Sequence, residues 1–184
     1  MIYLALLRGI NVGGKNKIAM SELKEVFERA GMRAVTTYIN SGNVIFESEN
    51  MDEDELVTIL EQAINQHFGL PINVLLRNYD QMKKVITSLP ESWQNNKIIK
   101  SDVLFLWKEI DSRSILDQLK IKPTIDQVIY TEGALLWSVS KDHVTKTGLT
   151  KLIGTPIYKK MTIRNVNTTR KLFQLMDERG ELND

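Results

Sequence analysis

Ile2-Tyr3-Leu4-Ala5-Leu6-Leu7 runs directly into Arg8-Gly9-Ile10-Asn11-Val12-Gly13-Gly14-Lys15-Asn16-Lys17. The first six residues are apolar at both alternating sets, which predicts a central strand covered on its two faces. The next ten hold three glycines, two asparagines and three cations. Such a loop brings backbone N–H groups and positive charge toward an anion.

Working outward, Ser21 is the expected N-cap of a helix reaching Ala30. Leu23, Val26, Phe27 and Ala30 form its apolar stripe and Gly31 stops it. Residues 34–40 and 43–47 are β-rich runs about Ser41-Gly42, a tight hairpin. A second helix is expected over 52–68, with Asp52, Glu53, Asp54 and Glu55 complementing its dipole, and a strand over 72–76. The order is β-α-β-β-α-β, the ferredoxin-like pattern. After a helix at 80–89 and a linker at 90–100, the pattern returns. Strands are expected at 103–107, 127–131, 134–140 and 161–163. Helices are expected at 112–119, opened by Asp111, and at 145–153, with a final helix at 167–179. The fold class is therefore α+β. Two tandem ferredoxin-like units with antiparallel sheets span residues 1–76 and 101–184, joined by a helix and linker at 77–100. The halves share the pattern without visible identity.

The composition, 42% hydrophobic and 26% charged, argues for a folded chain rather than a disordered one. Absence of cysteine excludes disulfides and thiolate chemistry and fits a reducing compartment, so a cytoplasmic location is expected. No apolar run is long enough for a membrane span, and no membrane partner is expected. The formal charge of +1 hides a gradient. Residues 1–76 hold 6 Lys/Arg against 10 Asp/Glu, whereas 143–176 hold Lys146, Lys151, Lys159, Lys160, Arg164, Arg170 and Lys171 with no acid. A one-signed stretch of that kind attracts phosphates, and is equally read as a solvated surface.

Gly9-x-x-x-x-Gly14-Lys15 matches most of a nucleotide-hydrolase P-loop, but Asn16 stands where a Mg²⁺-binding hydroxyl belongs and the helix starts too late. The acids at 47–55 are read as helix N-terminal charges rather than a metal site. His67 is read as packed at its helix end. No catalytic triad assembles with any specificity, and neither a metal nor a cofactor is expected.

In a 4-1-3-2 sheet the end of the first strand and the second hairpin meet at one edge. The candidate ligand-binding set is therefore Arg8, Asn11, Gly13, Gly14 and Lys15 with Ser41, Gly42 and Asn43, a rim for a phosphorylated small molecule or nucleotide. In that reading Asn11 and Asn43 orient the ligand. Arg164-Asn165-Val166-Asn167-Thr168 repeats the Arg-x-x-Asn spacing between a strand and a helix, which adds Arg164 and Asn167 as a second anion clamp, or as a helix cap from Asn167 or Thr168. Two alternatives are nucleic-acid binding through residues 143–176 and an enzyme acting on a phosphorylated substrate with Ser41 or Lys15 reacting.

Residues Ala5 to Gly14, Lys17-Ile18, Thr37 to Phe46, and Thr162 to Thr168 with Lys171-Leu172 resemble the motifs of the domain of unknown function 1697 family, which is mainly bacterial. The resemblance spans the chain. It implies a two-unit ferredoxin-like α+β structure and carries no activity. Members usually have Gln at position 40 and Trp at 166, where this chain has Asn40 and Val166.

Overall fold

The computed structural model describes residues 1–49 and 52–183. It is a mixed α+β structure with two four-stranded antiparallel sheets. The chain divides into two compact units, Met1–Tyr79 with Leu172–Asp184, and Asp80–Lys171. The C-terminal helix, assigned by sequence to the second half alone, thus contributes its later residues to the first unit.

In the first unit β1 (Ile2–Leu7) lies between β3 (Asn43–Glu47) and β4 (Val74–Asn78), with β2 (Arg33–Tyr38) outermost beside β3. This is the expected order read from the other edge. Tyr3 to Leu7 are at most 1% exposed, so the strand is buried on both faces. Tyr3, Ala5 and Leu7 pack with Val44 and Phe46 under α1 (Met20–Arg29) and α2 (Glu53–Phe68). The helices contribute Leu23, Val26, Phe27, Leu56, Leu60 and Ile64, spaced three and four apart, each burial worth about 1.5–3 kcal/mol. Asp52 caps α2, its carboxylate accepting from Glu55 N–H at 3.1 Å, and left-handed Gly69 ends it. By contrast, Ser21 does not cap α1. The helix opens two residues earlier than that cap would place it, at Met20 behind Ala19, and no side chain caps it.

The second unit has the corresponding strand order, with β5 (Ile99–Leu106), β6 (Asp126–Thr131), β7 (Ala134–Ser140) and β8 (Met161–Asn165) arranged β6-β7-β5-β8. Two expectations are corrected here. The strand expected from 103 begins at Ile99, inside the expected linker, because Lys100, Ser101 and Asp102 make its first half polar and hide it from a hydrophobicity reading. The helix expected at 112–119 is a short 3-10 segment, Arg113–Gln118, and the one expected at 145–153 is reduced to Gly148–Lys151, with further 3-10 segments at Lys141–His143 and Pro156–Lys160 on either side. Ser112, not Asp111, caps the first of these; Asp111 instead accepts from Tyr130 Oη–H at 2.9 Å and Gly133 N–H at 3.0 Å. Burial and that carboxylate together push the Tyr130 phenol up to about 12. The second helix is broken because Asp126 draws Gly148 N–H to 2.9 Å and Thr147 with it.

Two more helices complete the chain, α3 (Tyr79–Ser88) after β4 and α4 (Val166–Asn183) after β8. Here the halves do share residues. Arg77-Asn78 ends β4 and Arg164-Asn165 ends β8, each just before a helix. Arg77 lies opposite Leu4 of central β1, and Arg164 opposite Val103 of central β5. Each guanidinium donates to the carbonyl of the residue before it, at 2.8 and 2.9 Å. The echo of Arg164 is therefore Arg77 in the equivalent strand, rather than Arg8.

Candidate functional site

The Arg8–Lys17 loop and the 40–43 hairpin are joined at one edge of the first sheet. Leu7 N–H donates to Gly42 O at 2.8 Å, and Arg8 N–H to Asn73 O at 3.0 Å. Within the loop, Val12-Gly13-Gly14-Lys15 is a two-residue hairpin turn. Lys15 N–H reaches Val12 O at 3.0 Å, and Gly13 and Gly14 have φ of +59° and +74°. Positive φ at both central positions is the type I′ turn, for which glycine pairs are favoured. The two glycines thus meet a backbone requirement before any ligand is considered.

Asn11 is the staple of the site. Its amide nitrogen donates to Ile18 O and to Asn40 O, both at 2.9 Å, and its amide oxygen accepts from Ile18 N–H at 2.8 Å. It sits at φ +53°, a left-handed conformation that asparagine tolerates better than most residues. Asn16 makes a second tie, donating to Gly9 O at 2.9 Å. Asn43 is fully buried and donates to Tyr38 O at 3.0 Å and Ser41 Oγ at 2.8 Å. The sequence reading gave Asn11 and Asn43 the task of orienting a ligand. In the structure the Asn11 amide ties the two loops together, and the Asn43 amide ties its own hairpin. Since Asn11 contacts the backbone carbonyl of residue 40, the bond does not depend on which side chain stands there.

Cutting this staple has a defined cost. Asn11→Ala is expected to lose about 1–3 kcal/mol, since it removes three hydrogen bonds and leaves the left-handed backbone to alanine. Asn11→Gly keeps the conformation and loses only the bonds, so urea melts of the two variants separate the contributions.

On the outer side of this scaffold Gly9, Val12, Gly13, Gly14, Lys15, Asn16 and Lys17 are exposed, and Arg8 and Ser41 are half-buried. Among the described residues Lys15 and Lys17 form no ion pair. Val12 and Ile39, 65% and 51% exposed, each adjoin one end of the Asn11–Asn40 bond. Ile39 has φ +49°, which costs a β-branched residue of order 1–2 kcal/mol. The uncapped start of α1 follows shortly after Lys17, with Glu22 in its first turn bonded to His67 at 3.4 Å. His67 also packs edge-on against Phe68, as expected for a helix-end histidine.

Arg164 and Asn167 belong to the second unit and do not form an open clamp. Arg164 is 7% exposed, with its guanidinium donating to Thr162 Oγ1 at 3.0 Å, and burial depresses its pKa to about 10. Asn167 bonds Asn95, donating to its carbonyl at 2.9 Å. The cap of α4 is Asn165, which accepts from Thr168 N–H at 2.8 Å. The basic stretch also has fewer outward charges than its sequence suggests. Lys160 pairs with Glu109 at 3.1 Å, and Arg170 donates to Trp93 O and Pro90 O at 2.6 and 2.8 Å. Lys146, Lys151 and Lys159 are exposed.

The sequence reading passed over Lys100 and Asp102. Their i, i+2 spacing with Leu104 and Leu106 was the available signal, since it places all four on one face of a strand.

No helix among the described residues is long and apolar enough to cross a membrane. No curated protein matches the chain. Among solved structures it is similar to a conserved bacterial protein from Streptococcus pneumoniae, with 31% identity, 94% of this chain and 97% of that chain covered, and a TM-score of 0.80. A family model described as "Protein of unknown function (DUF1697)" matches residues 1–137, and with that extent of agreement the chain belongs to this family.

Proposed function

We propose that the chain is a cytoplasmic protein of two tandem ferredoxin-like units, and that the rim of the first binds a phosphorylated small molecule or nucleotide. The tandem reading is supported by the shared strand order and by the paired Arg-Asn strand ends. The compartment is supported by a sequence free of cysteine. The observation that carries the binding reading is the Asn11–Asn40 staple, which holds a cationic loop rigidly against a second loop. Arg8, Lys15 and Lys17 supply the charge. The backbone of Gly13 and Gly14 lets a phosphate approach closely, and Ser41 supplies a hydroxyl. Gly42, Asn43 and Asn11 act as scaffold. Exposed Val12 and Ile39 offer apolar flanks suited to a nucleoside, and the strain at Ile39 is of the kind found at binding sites. A preformed cationic rim loses little conformational entropy on binding. Arg164 and Asn167 are left out of this rim because their side chains are engaged within the other unit.

Melting temperatures of the full chain, titrated with inorganic phosphate, adenosine diphosphate and adenosine, test the reading. A ligand at ten times its Kd adds about 1.4 kcal/mol, a rise of about 3–5 °C for a chain of this size. The rise is expected with phosphate or the diphosphate, not with adenosine. It is expected to vanish in the double variant Lys15→Glu with Lys17→Glu. A flat titration in the wild type, or an unchanged rise in the double variant, overturns it.

A further inference from the structure

The second unit holds two buried aspartates in opposite circumstances. Asp126 is 5% exposed and takes four hydrogen bonds, from Lys122 N–H, Gly148 N–H, Trp137 Nε1–H and Thr147 Oγ1–H. Asp102 is 7% exposed, yet among the described residues its carboxylate meets only Lys100, whose Nζ is 3.5 Å from Oδ2. A well-made charge-assisted bond is about 2.7–2.9 Å. The Lys100 side chain is also 40% exposed, so it is a loose partner. A buried carboxylate with one loose partner is costly unless something else satisfies it.

A cavity of about 220 Å³ opens beside it. Lys100 and Asp102 lie along its wall together with Val139, Leu149, Ile153 and Ile163. It exists because no continuous helix covers this part of the sheet. The chain from 141 to 160 passes over in three short 3-10 segments, interrupted at 144–147 and again at 152–155. The lining is mostly apolar with a few convergent polar groups, the usual character of a small-ligand site.

We propose that this cavity is a binding site for a small aliphatic primary amine, with the ammonium on the Asp102 carboxylate and the hydrocarbon body against Val139, Leu149, Ile153 and Ile163. The volume equals about seven waters, which suits a short branched chain. Burial pushes the Asp102 carboxyl upward and Lys100 pulls it back only in part, which is the state of a carboxylate short of cationic partners. The ammonium has two sources. A simple alkylamine displaces Lys100 from the carboxylate, whereas an amino acid keeps Lys100 engaged through its own carboxylate.

Backbone amide NMR of the full chain, titrated with 3-methylbutylamine, leucine and the neutral isostere 3-methylbutanol, tests the site. The expected result is saturable movement of the Thr150 and Ile153 resonances, with Kd on the order of 1 mM for a ligand of this size. The alcohol is expected to bind about tenfold more weakly, as is the amine to Asp102→Asn. Leucine tighter than the amine assigns the site to amino acids, and the reverse order assigns it to alkylamines; both support the proposal. Thr150→Trp, a change at an exposed lining residue, is expected to abolish binding by occlusion without depending on Asp102. No saturable movement with either ammonium compound, equal binding of the alcohol, or unchanged binding in both variants overturns it.

Discussion

Asp126→Ala is expected to destabilise the protein by about 3–5 kcal/mol. Each carboxylate oxygen has two donors. Oδ2 accepts from Lys122 N–H and Gly148 N–H, both at 2.9 Å, and Oδ1 accepts from Trp137 Nε1–H at 3.2 Å and from Thr147. Removing the acceptor leaves donors from three separate segments unsatisfied where water has little access. Asp126→Asn does not rescue them, because one amide end repels the two donors it faces. Urea unfolding followed by tryptophan fluorescence checks this, and a loss below about 1 kcal/mol contradicts it. The pH dependence has a defined sign. Burial alone would raise the Asp126 pKa, but the four hydrogen bonds outweigh it and hold it below the ordinary value. A carboxyl depressed in the folded state contributes stability that is present above its unfolded pKa, about 4. That contribution is lost as pH falls through the lower folded value. The wild type is therefore expected to lose stability on acidification below about pH 4, and Asp126→Ala to lose less of what remains.

The same residue shows why the second half was harder to read than the first. In the first half most elements announced themselves locally, the uncapped start of α1 and the bounds of β4 apart. β1 is apolar at every position, α2 carries its own cap in Asp52 and its own stop in Gly69, and the hairpin has Gly42 at its turn. Local signals and fold agree there. The helix expected over 145–153 has an acceptable local pattern, but Asp126, more than twenty residues earlier, captures Gly148 and Thr147. An added Cβ on Gly148 would lie 1.8 Å from Lys120 O, so the glycine serves a close approach of two backbone segments. No window of neighbouring residues contains that contact. The start of β5 was hidden for another reason. Lys100 and Asp102 belong to the strand but face a cavity, so the apolar run begins too late.

The candidate rim was legible as an adjacency and illegible as a set of roles. Strand order alone brings the end of β1 to the 40–43 hairpin, and order was readable from β-α-β-β-α-β. Asparagines near a loop suggest ligand contacts, but a side chain that can donate and accept also serves as a local backbone staple. Asn11 and Asn43 do the latter, and the two uses differ only in where the folded chain brings their partners.

Gly42→Ala and Gly13→Ala together isolate what the adjacency is worth. Both glycines are left-handed, at φ +80° and +59°, so alanine pays a similar backbone cost of about 1–2 kcal/mol at either. Their surroundings differ. A Cβ on Gly13 meets nothing within 4 Å, whereas on Gly42 it lies 2.8 Å from Leu7 Cβ and 2.9 Å from Ile10 Cδ1. Leu7 and Ile10 are each 1% exposed and cannot yield without disturbing the core under α1 and α2. Overpacking adds about 1–3 kcal/mol, so Gly42→Ala is expected to cost about 2–5 kcal/mol in total. Urea melts measure the difference, and equal losses in the two variants contradict the tight seating of the loop on the hairpin. The pair also bears on binding. Forcing the hairpin off Leu7 breaks the Leu7 N–H to Gly42 O bond and shifts the Asn11–Asn40 staple with it. Gly42→Ala is therefore expected to abolish a phosphate-dependent rise in melting temperature while keeping all three cations. Gly13→Ala preserves the seating but sets a methyl on backbone that the phosphate approaches, so it is expected to keep only part of the rise. If Gly42→Ala keeps the full rise, the charges act without the scaffold, and the hairpin has no part in the site.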